Sequence, residues 1–311
     1  MIRSVLARLR VPGCANTALL RFFPIILFGI GAVASTAASA SFARGDWGRG
    51  PAGCVAGLDS VTRFPDLDAV RRANNTSPSI AHLIGQLEPR PVKRPWGLRE
   101  NARLLQGLGP RGGTGLAVAL PKGSINPRHP TAPLGGMGWR WRPNGADGVR
   151  SACLVYHLYL QRGFAFARGG KLPGLFGGDA PAGGRSVDGR SGFSTRLMWR
   201  RGGRGEVYAY IPGHPARRGR SIGRGAWTFQ TGAWVQVAQR VDLNNASASD
   251  GRIRVWIDGA LRLDAAGLAL VRDASVTIDG IMADVFYGGK SMPWSAPRRT
   301  FVAFSPFALH R

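Results

Sequence analysis

The stretch GFSTRLMWRRGGRGEVYAYIP, residues 192–212, places Ser194, Arg196, Tyr208 and Tyr210 within one short hairpin. Alternation along a strand sends every second side chain to the same face. Ser194, Arg196, Met198 and Arg200 therefore share one face of the first strand, and Tyr208 and Tyr210 share one face of the second. Centring the Gly-rich turn RGGRG on Gly203 sets Arg196 opposite Tyr210 and Met198 opposite Tyr208, and a bulge would shift that register. A cation, a hydroxyl and two phenols then converge on one patch of sheet. The same pattern also suits an ordinary solvated face, where Tyr and Arg are common and aromatic cross-strand pairs stabilise a ladder.

Just upstream, FAFARGGKLPGLFGG (residues 164–178) delivers Lys171 after a Gly-Gly pair, where the chain is expected to turn in a rigid, close-approach loop. From Arg162 to Arg224 thirteen Lys or Arg are interrupted by only three acids, Asp179, Asp188 and Glu206. A basic groove with Tyr in its floor suits a long polyanion.

The elements that position these residues read as strands. GLAVALP, GWRWRP, ACLVYHLYLQ, FSTRLMWR, EVYAYIP, AWVQVAQRVDL, RIRVWIDG, SVTIDGIMADVFYG and TFVAFSPFAL mostly alternate apolar and polar residues between Gly, Pro, Asn or Asp clusters. No βαβ rhythm and no long amphipathic helix interrupts them. The expected fold class is all-β, a jelly-roll sandwich of two antiparallel sheets. GGDAPAGGRSVDGRSG, residues 177–192, lacks the Gly-Lys-Ser/Thr ending and following helix of a phosphate cradle. It reads as a long loop at the mouth of a site.

The ends of the chain differ from this core. Arg3, Arg8, Arg10 and Arg21 precede an apolar run at residues 22–34, followed by Ala38-Ser39-Ala40, the pattern of a cleaved export signal over residues 1–40, with an uncleaved N-terminal anchor as the alternative. Removal of the signal leaves 271 residues and lowers the formal charge from +25 to +21. Residues 41–99 form a poorly regular Gly-, Pro- and Arg-rich extension, with one short helix expected in SPSIAHLIGQL. Cys54 and Cys153 either pair in an oxidising compartment or remain buried thiols. The five His are scattered and no C-x-x-C occurs, so no metal site is expected. Trp47, Trp96, Trp139 and Trp141 suit packing, or stacking on sugars or bases.

GGKLPGLFGG, GFSTRLMWR and EVYAYIP, in that order and spacing, closely resemble polysaccharide lyase family 14. LPKGSINP and PLGGMGW before them, and IRVWIDG and VFYGG after them, extend the resemblance over about residues 100–311. It implies a jelly roll and β-elimination from a uronic-acid polymer such as alginate or glucuronan, with no cofactor. It also implies a catalytic set of Lys171, Ser194, Arg196, Tyr208 and Tyr210. In that set Arg196 holds the substrate carboxylate, Ser194 donates beside it, and Lys171 adds charge or acts as base. The two Tyr transfer protons, given a phenol lowered by surrounding Arg and Lys.

His157 departs from the family pattern and reads either as an extra acid/base or as a structural His. The resemblance makes an acidic polysaccharide the expected partner of a secreted or periplasmic enzyme without stable membrane insertion. A non-catalytic polysaccharide-binding jelly roll is the alternative. Charge alone suggests nucleic acid, but the export signal and the lack of a basic helix argue against it. The polymer, endo or exo action and oligomeric state stay open.

Overall fold

The computed structural model describes residues 48–59, 61–64, 95–143, 148–213 and 218–311. The expected signal, the expected helix at residues 77–87 and Trp47 lie outside them. Two antiparallel sheets form a sandwich, as the strand pattern predicts. The nine-stranded sheet runs β12 (Ala260–Leu268), β11 (Gly251–Ile257), β10 (Trp234–Asp242), β5 (Ser151–Leu160), β15 (Thr300–Phe304), β3 (Gly115–Leu120) and β2 (Ala102–Leu105). β16 (Phe307–His310) also pairs with β5 and carries β1 (Val61–Phe64). The seven-stranded sheet runs β4 (Arg140–Trp141), β13 (Gly280–Met282), β6 (Gly169–Gly178), β7 (Gly192–Arg200), β8 (Gly205–Tyr210) and β9 (Arg220–Ile222), with β14 (Phe286–Tyr287) also on β6.

The period of two explains the core. Leu154, Tyr156 and Leu158 of β5, with Val237 and Val241 of β10, face inward. They meet Leu172 and Leu175 of β6, Phe193, Leu197 and Trp199 of β7, and Val207 of β8. Polar side chains reach across this interior, and Tyr156 OH of β5 donates to Pro173 O at 3.4 Å. Gln239 of β10 donates from Nε2 to Thr195 O (2.7 Å) and accepts from Leu175 N–H (3.2 Å). Those two backbone groups flank a bulge between Leu172 and Gly174 in β6, so Gln239 meets the hydrogen-bonding needs of a locally disrupted ladder.

The bulge revises the reading of KLPGL. Lys171 sits within a strand, opposite Met198, and not on a turning loop. The extra residue, Pro173, lets Leu172 and Leu175 both point inward while Lys171, Gly174 and Phe176 pair with the outward residues Met198, Arg196 and Ser194. Pro has no N–H to give the ladder, so a bulge is where a strand tolerates it.

The hairpin register is also revised. Ser194 faces Tyr210, Arg196 faces Tyr208 and Met198 faces Glu206. The turn is centred on Gly202, one residue earlier than expected. Gly202 (φ 67°) and Gly203 (φ 78°) are both left-handed, and Arg200 N–H closes the loop onto Arg204 O at 2.7 Å. Only glycine adopts two such conformations in succession without strain. A shift of two keeps every side chain on its expected face.

TFVAFSPFAL is two strands. Pro306 ends β15, and Ser305 Oγ accepts the His157 N–H at 2.8 Å. Of SVTIDGIMADVFYG only β13 and β14 are strands; between them Ala283 and Val285 bond to Trp139 and Met137. The edge strand β12 escapes a periodicity reading because most of it is exposed. The helix α1 (Ala52–Val55) lies on the outer face of the nine-stranded sheet, where Cys54 and Cys153 form a disulfide beside Val155, Ala238, Trp256 and Ala308.

Candidate active site

A cavity of about 850 Å³ lies over the outer face of the seven-stranded sheet. Its floor carries Lys171 from β6, Arg196 from β7 and Tyr208 and Tyr210 from β8. Gly183 and Gly184, in the loop expected at the mouth of a site, line one wall.

Lys171 is 8 % exposed. Its Nζ donates to Met198 Sδ at 2.6 Å and lies 3.6 Å from the centre of the Tyr208 ring. Among the described residues, no carboxylate stands within ion-pair distance of it. Burial pushes its pKa well below the usual lysine value, and Arg196 and Arg200 push the same way against the opposing carboxylates of Glu206 and Asp284. Burial and two nearby guanidiniums disfavour the ammonium form, against the attraction of the Tyr208 ring face for a cation.

Arg196 is buried, and its Nη1 donates to Asp284 Oδ2 at 2.8 Å. Arg140 binds the same carboxylate through Nη1 to Oδ1 (2.9 Å) and Nη2 to Oδ2 (3.3 Å). Burial alone would raise the Asp284 pKa, but the Arg140 and Arg196 guanidiniums hold it below the ordinary carboxylate value. Asp284 and Arg140, which both line the cavity, were not singled out in the sequence. Their signals were an acid inside IMADVFYG and an arginine in the alternating GWRWRP, each indistinguishable in sequence from an outward strand residue.

Tyr208 and Tyr210 stand edge to face, with centroids 5.8 Å apart. Tyr210 OH accepts the Gly184 N–H at 3.1 Å, and Arg196 Cζ lies 6.0 Å from its ring centre. The expected lowering of the phenols does not hold at Tyr208. Burial, followed by Tyr210, raises its pKa and outweighs the Gly219 hydrogen bond, Arg200 and Arg196. Arg200 Cζ sits 5.6 Å from the Tyr208 ring centre and is itself tied to the buried Glu206.

Ser194 is placed differently from the other four. It is 0 % exposed, and its Oγ donates to Pro181 O at 2.7 Å, tethering the loop that carries Gly183 and Gly184. The structure thus brings Lys171, Arg196, Tyr208 and Tyr210 to the cavity and sets Ser194 behind its wall. His157 lies on the nine-stranded sheet, away from the cavity, which fits the structural reading. Trp96 and Trp139 line the cavity, whereas Trp141 packs against the core.

The family model for polysaccharide lyase 14 matches residues 110–307. No curated protein matches the chain. Among solved structures, the alginate lyase of that family from Aplysia kurodai is 28 % identical, with a TM-score of 0.65 over 74 % of this chain and 94 % of that one. The alginate lyase Aly36B is 20 % identical, with a TM-score of 0.62 over 82 % and 98 % of the two chains. A Chlorella virus alginate lyase, also 20 % identical, gives a TM-score of 0.56 over 68 % and 88 %. These two share the fold with this chain. With the motifs in place and the model matching through both sheets, the chain belongs to polysaccharide lyase family 14.

Proposed function

We propose that the protein is an exported lyase that cleaves a uronic-acid polysaccharide such as alginate by β-elimination. The observation that carries this reading is Lys171, a buried amine that has no ion-pair partner among the described residues and lines the same cavity as Arg196, Tyr208 and Tyr210. The ring proton next to a carboxylate is weakly acidic, so a base must take it while cations stabilise the charge that develops.

In this scheme Arg196, at the cavity floor, holds the uronate carboxylate. The neutral Lys171 amine takes the proton from the adjacent ring carbon. The electrons of that C–H bond form a carbon–carbon double bond, and the bond to the next sugar's oxygen breaks. Tyr208, whose raised pKa keeps it protonated through neutral pH, gives its proton to the leaving oxygen. The Lys171 ammonium then restores the phenol, so no net charge accumulates. Tyr210, tied to Gly184, holds the loop above the floor.

Two further observations support the reading. The Cys54–Cys153 disulfide suits an oxidising compartment outside the cytoplasm, and a structure of Aly36B, which shares the fold, holds an alginate tetrasaccharide. The test is an absorbance assay for unsaturated product ends on alginate, its mannuronate- and guluronate-rich fractions, and glucuronan, beside Tyr208→Phe. A rise on one polymer that falls at least ~100-fold in the variant, the low end for general acid–base catalysis, is expected. A flat trace on every polymer with retained binding would make the protein a binding module instead.

A further inference from the structure

The strand order gives the cavity two sides. Lys171 on β6 is its middle, with Tyr208 and Tyr210 two strands away on β8. On the opposite side, β14 places Phe286 directly beside Lys171, and β4 places Arg140 beyond β13. Trp96, which precedes the region matched by the family, closes that side and meets Phe286 edge to face at 5.9 Å. Both rings are partly exposed, and Leu134, 38 % exposed, lines the same cavity.

Trp96 is fixed there by its backbone. It exchanges two 3.0 Å hydrogen bonds with Gly138. A Cβ on Gly138 would lie 2.3 Å from Trp96 Nε1 and 2.2 Å from Asp284 Oδ1. Only glycine leaves room there for both the indole edge and the carboxylate that Arg140 and Arg196 share. Arg140 lines the same cavity, its guanidinium held by Asp284 and by Trp139 O at 3.2 Å.

An aromatic wall next to a buried guanidinium is complementary to one kind of sugar. A uronosyl ring offers a C–H face for the rings and a carboxylate at its edge for the arginine. We propose that Trp96, Phe286 and Arg140 form a uronosyl subsite on the side of Lys171 away from the tyrosines, holding the sugar next to the one that reacts. The identity of the sugar rests on the lyase reading; the wall does not. A polymer crossing the strands would place its reacting sugar over Lys171 and Tyr208 and its neighbour on Trp96.

The test compares wild type, Trp96→Ala and Trp96→Phe on the polymer the enzyme cleaves, recording KM, kcat, Tm and the lengths of the final products. An aromatic contact of ordinary strength predicts a rise in KM of roughly three- to tenfold in Trp96→Ala, with a smaller fall in kcat. Final products should be longer, and Trp96→Phe should recover most of the loss. Unchanged KM and product lengths would overturn the subsite. So would kcat and KM worsening together with a lowered Tm that Trp96→Phe fails to rescue. If the wild type cleaves none of the polymers, the lyase reading fails separately. Calorimetry with mannuronate and guluronate trisaccharides then decides: weaker binding by Trp96→Ala supports the subsite, and equal binding overturns it.

Discussion

On the outer face of the nine-stranded sheet the ion pairs lie partly in water; beside the cavity of the seven-stranded sheet they are buried. Asp242 on β10 sits between Arg240 and Arg254, each 2.9 Å away, and Arg252 pairs with Asp264 across the edge strands. Every one of these guanidiniums meets a carboxylate at the surface. Across the sandwich, Asp284 alone serves Arg140 and Arg196, and Lys171 beside them has no ion-pair partner among the described residues. The inward faces of the two sheets are alike in their apolar packing. Each cluster sets two guanidiniums on one carboxylate, so the contrast is one of burial: the cavity face keeps its charges out of water, where an anion from outside would meet them with little screening.

The largest expected effect breaks the contrast at its centre. Lys171→Ala should lower kcat by about 1,000-fold, within the range for losing a general base. Its Tm should stay level or rise, because a buried amine with no ion-pair partner among the described residues is removed. A kinetic and thermal comparison with wild type checks both. Next, removing the acid from each face should give unequal costs. Asp284→Ala leaves two buried guanidiniums uncompensated and should cost about 3–5 kcal/mol, whereas Asp242→Ala, in a partly exposed pair, should cost about 1 kcal/mol or less. Denaturant unfolding measures the two side by side.

The disulfide belongs wholly to the non-catalytic face. Replacing Cys54 and Cys153 by Ser should lower stability by about 2–4 kcal/mol, because their bond closes a long loop in the unfolded chain. The kcat measured well below Tm should hardly move. The smallest effect concerns His157. Burial, aided by Arg111, lowers its pKa from 6.5 to about 4. The unfolded chain therefore binds a proton that the native state refuses between those values. Stability should be full above pH 6.5 and fall by at most about 3 kcal/mol as pH drops toward 4. Tm against pH should show a shallower slope in His157→Gln.

The two faces were unequally legible in sequence. Alternation exposed the inward residues of β5, β7 and β10, because burial on one face imposes a period of two. It also put Arg196, Tyr208 and Tyr210 on one side, which the shift of two in register preserves. The Lys171 strand was hidden by Pro173 and its bulge, which break the period at the point where the lysine must turn outward. Asp284 and Arg140 were hidden for another reason: their partnership spans 144 residues and leaves no local mark. Ser194 shows the reverse limit. Its position in the motif is right, yet its hydroxyl is taken by Pro181. Direction along a strand fixes the face a side chain takes, but not the partner it finds there.

The dependence of kcat/KM on pH tests the central claim most directly, since it reports the ionisation of the free enzyme's base. With the polymer that the wild type cleaves, the acid limb should lie well below the ordinary lysine value, because burial and the neighbouring Arg196 and Arg200 guanidiniums disfavour the charged amine. Activity that climbs only as the pH nears ~10.4, the value of an ordinary lysine, would contradict a buried neutral amine as the base.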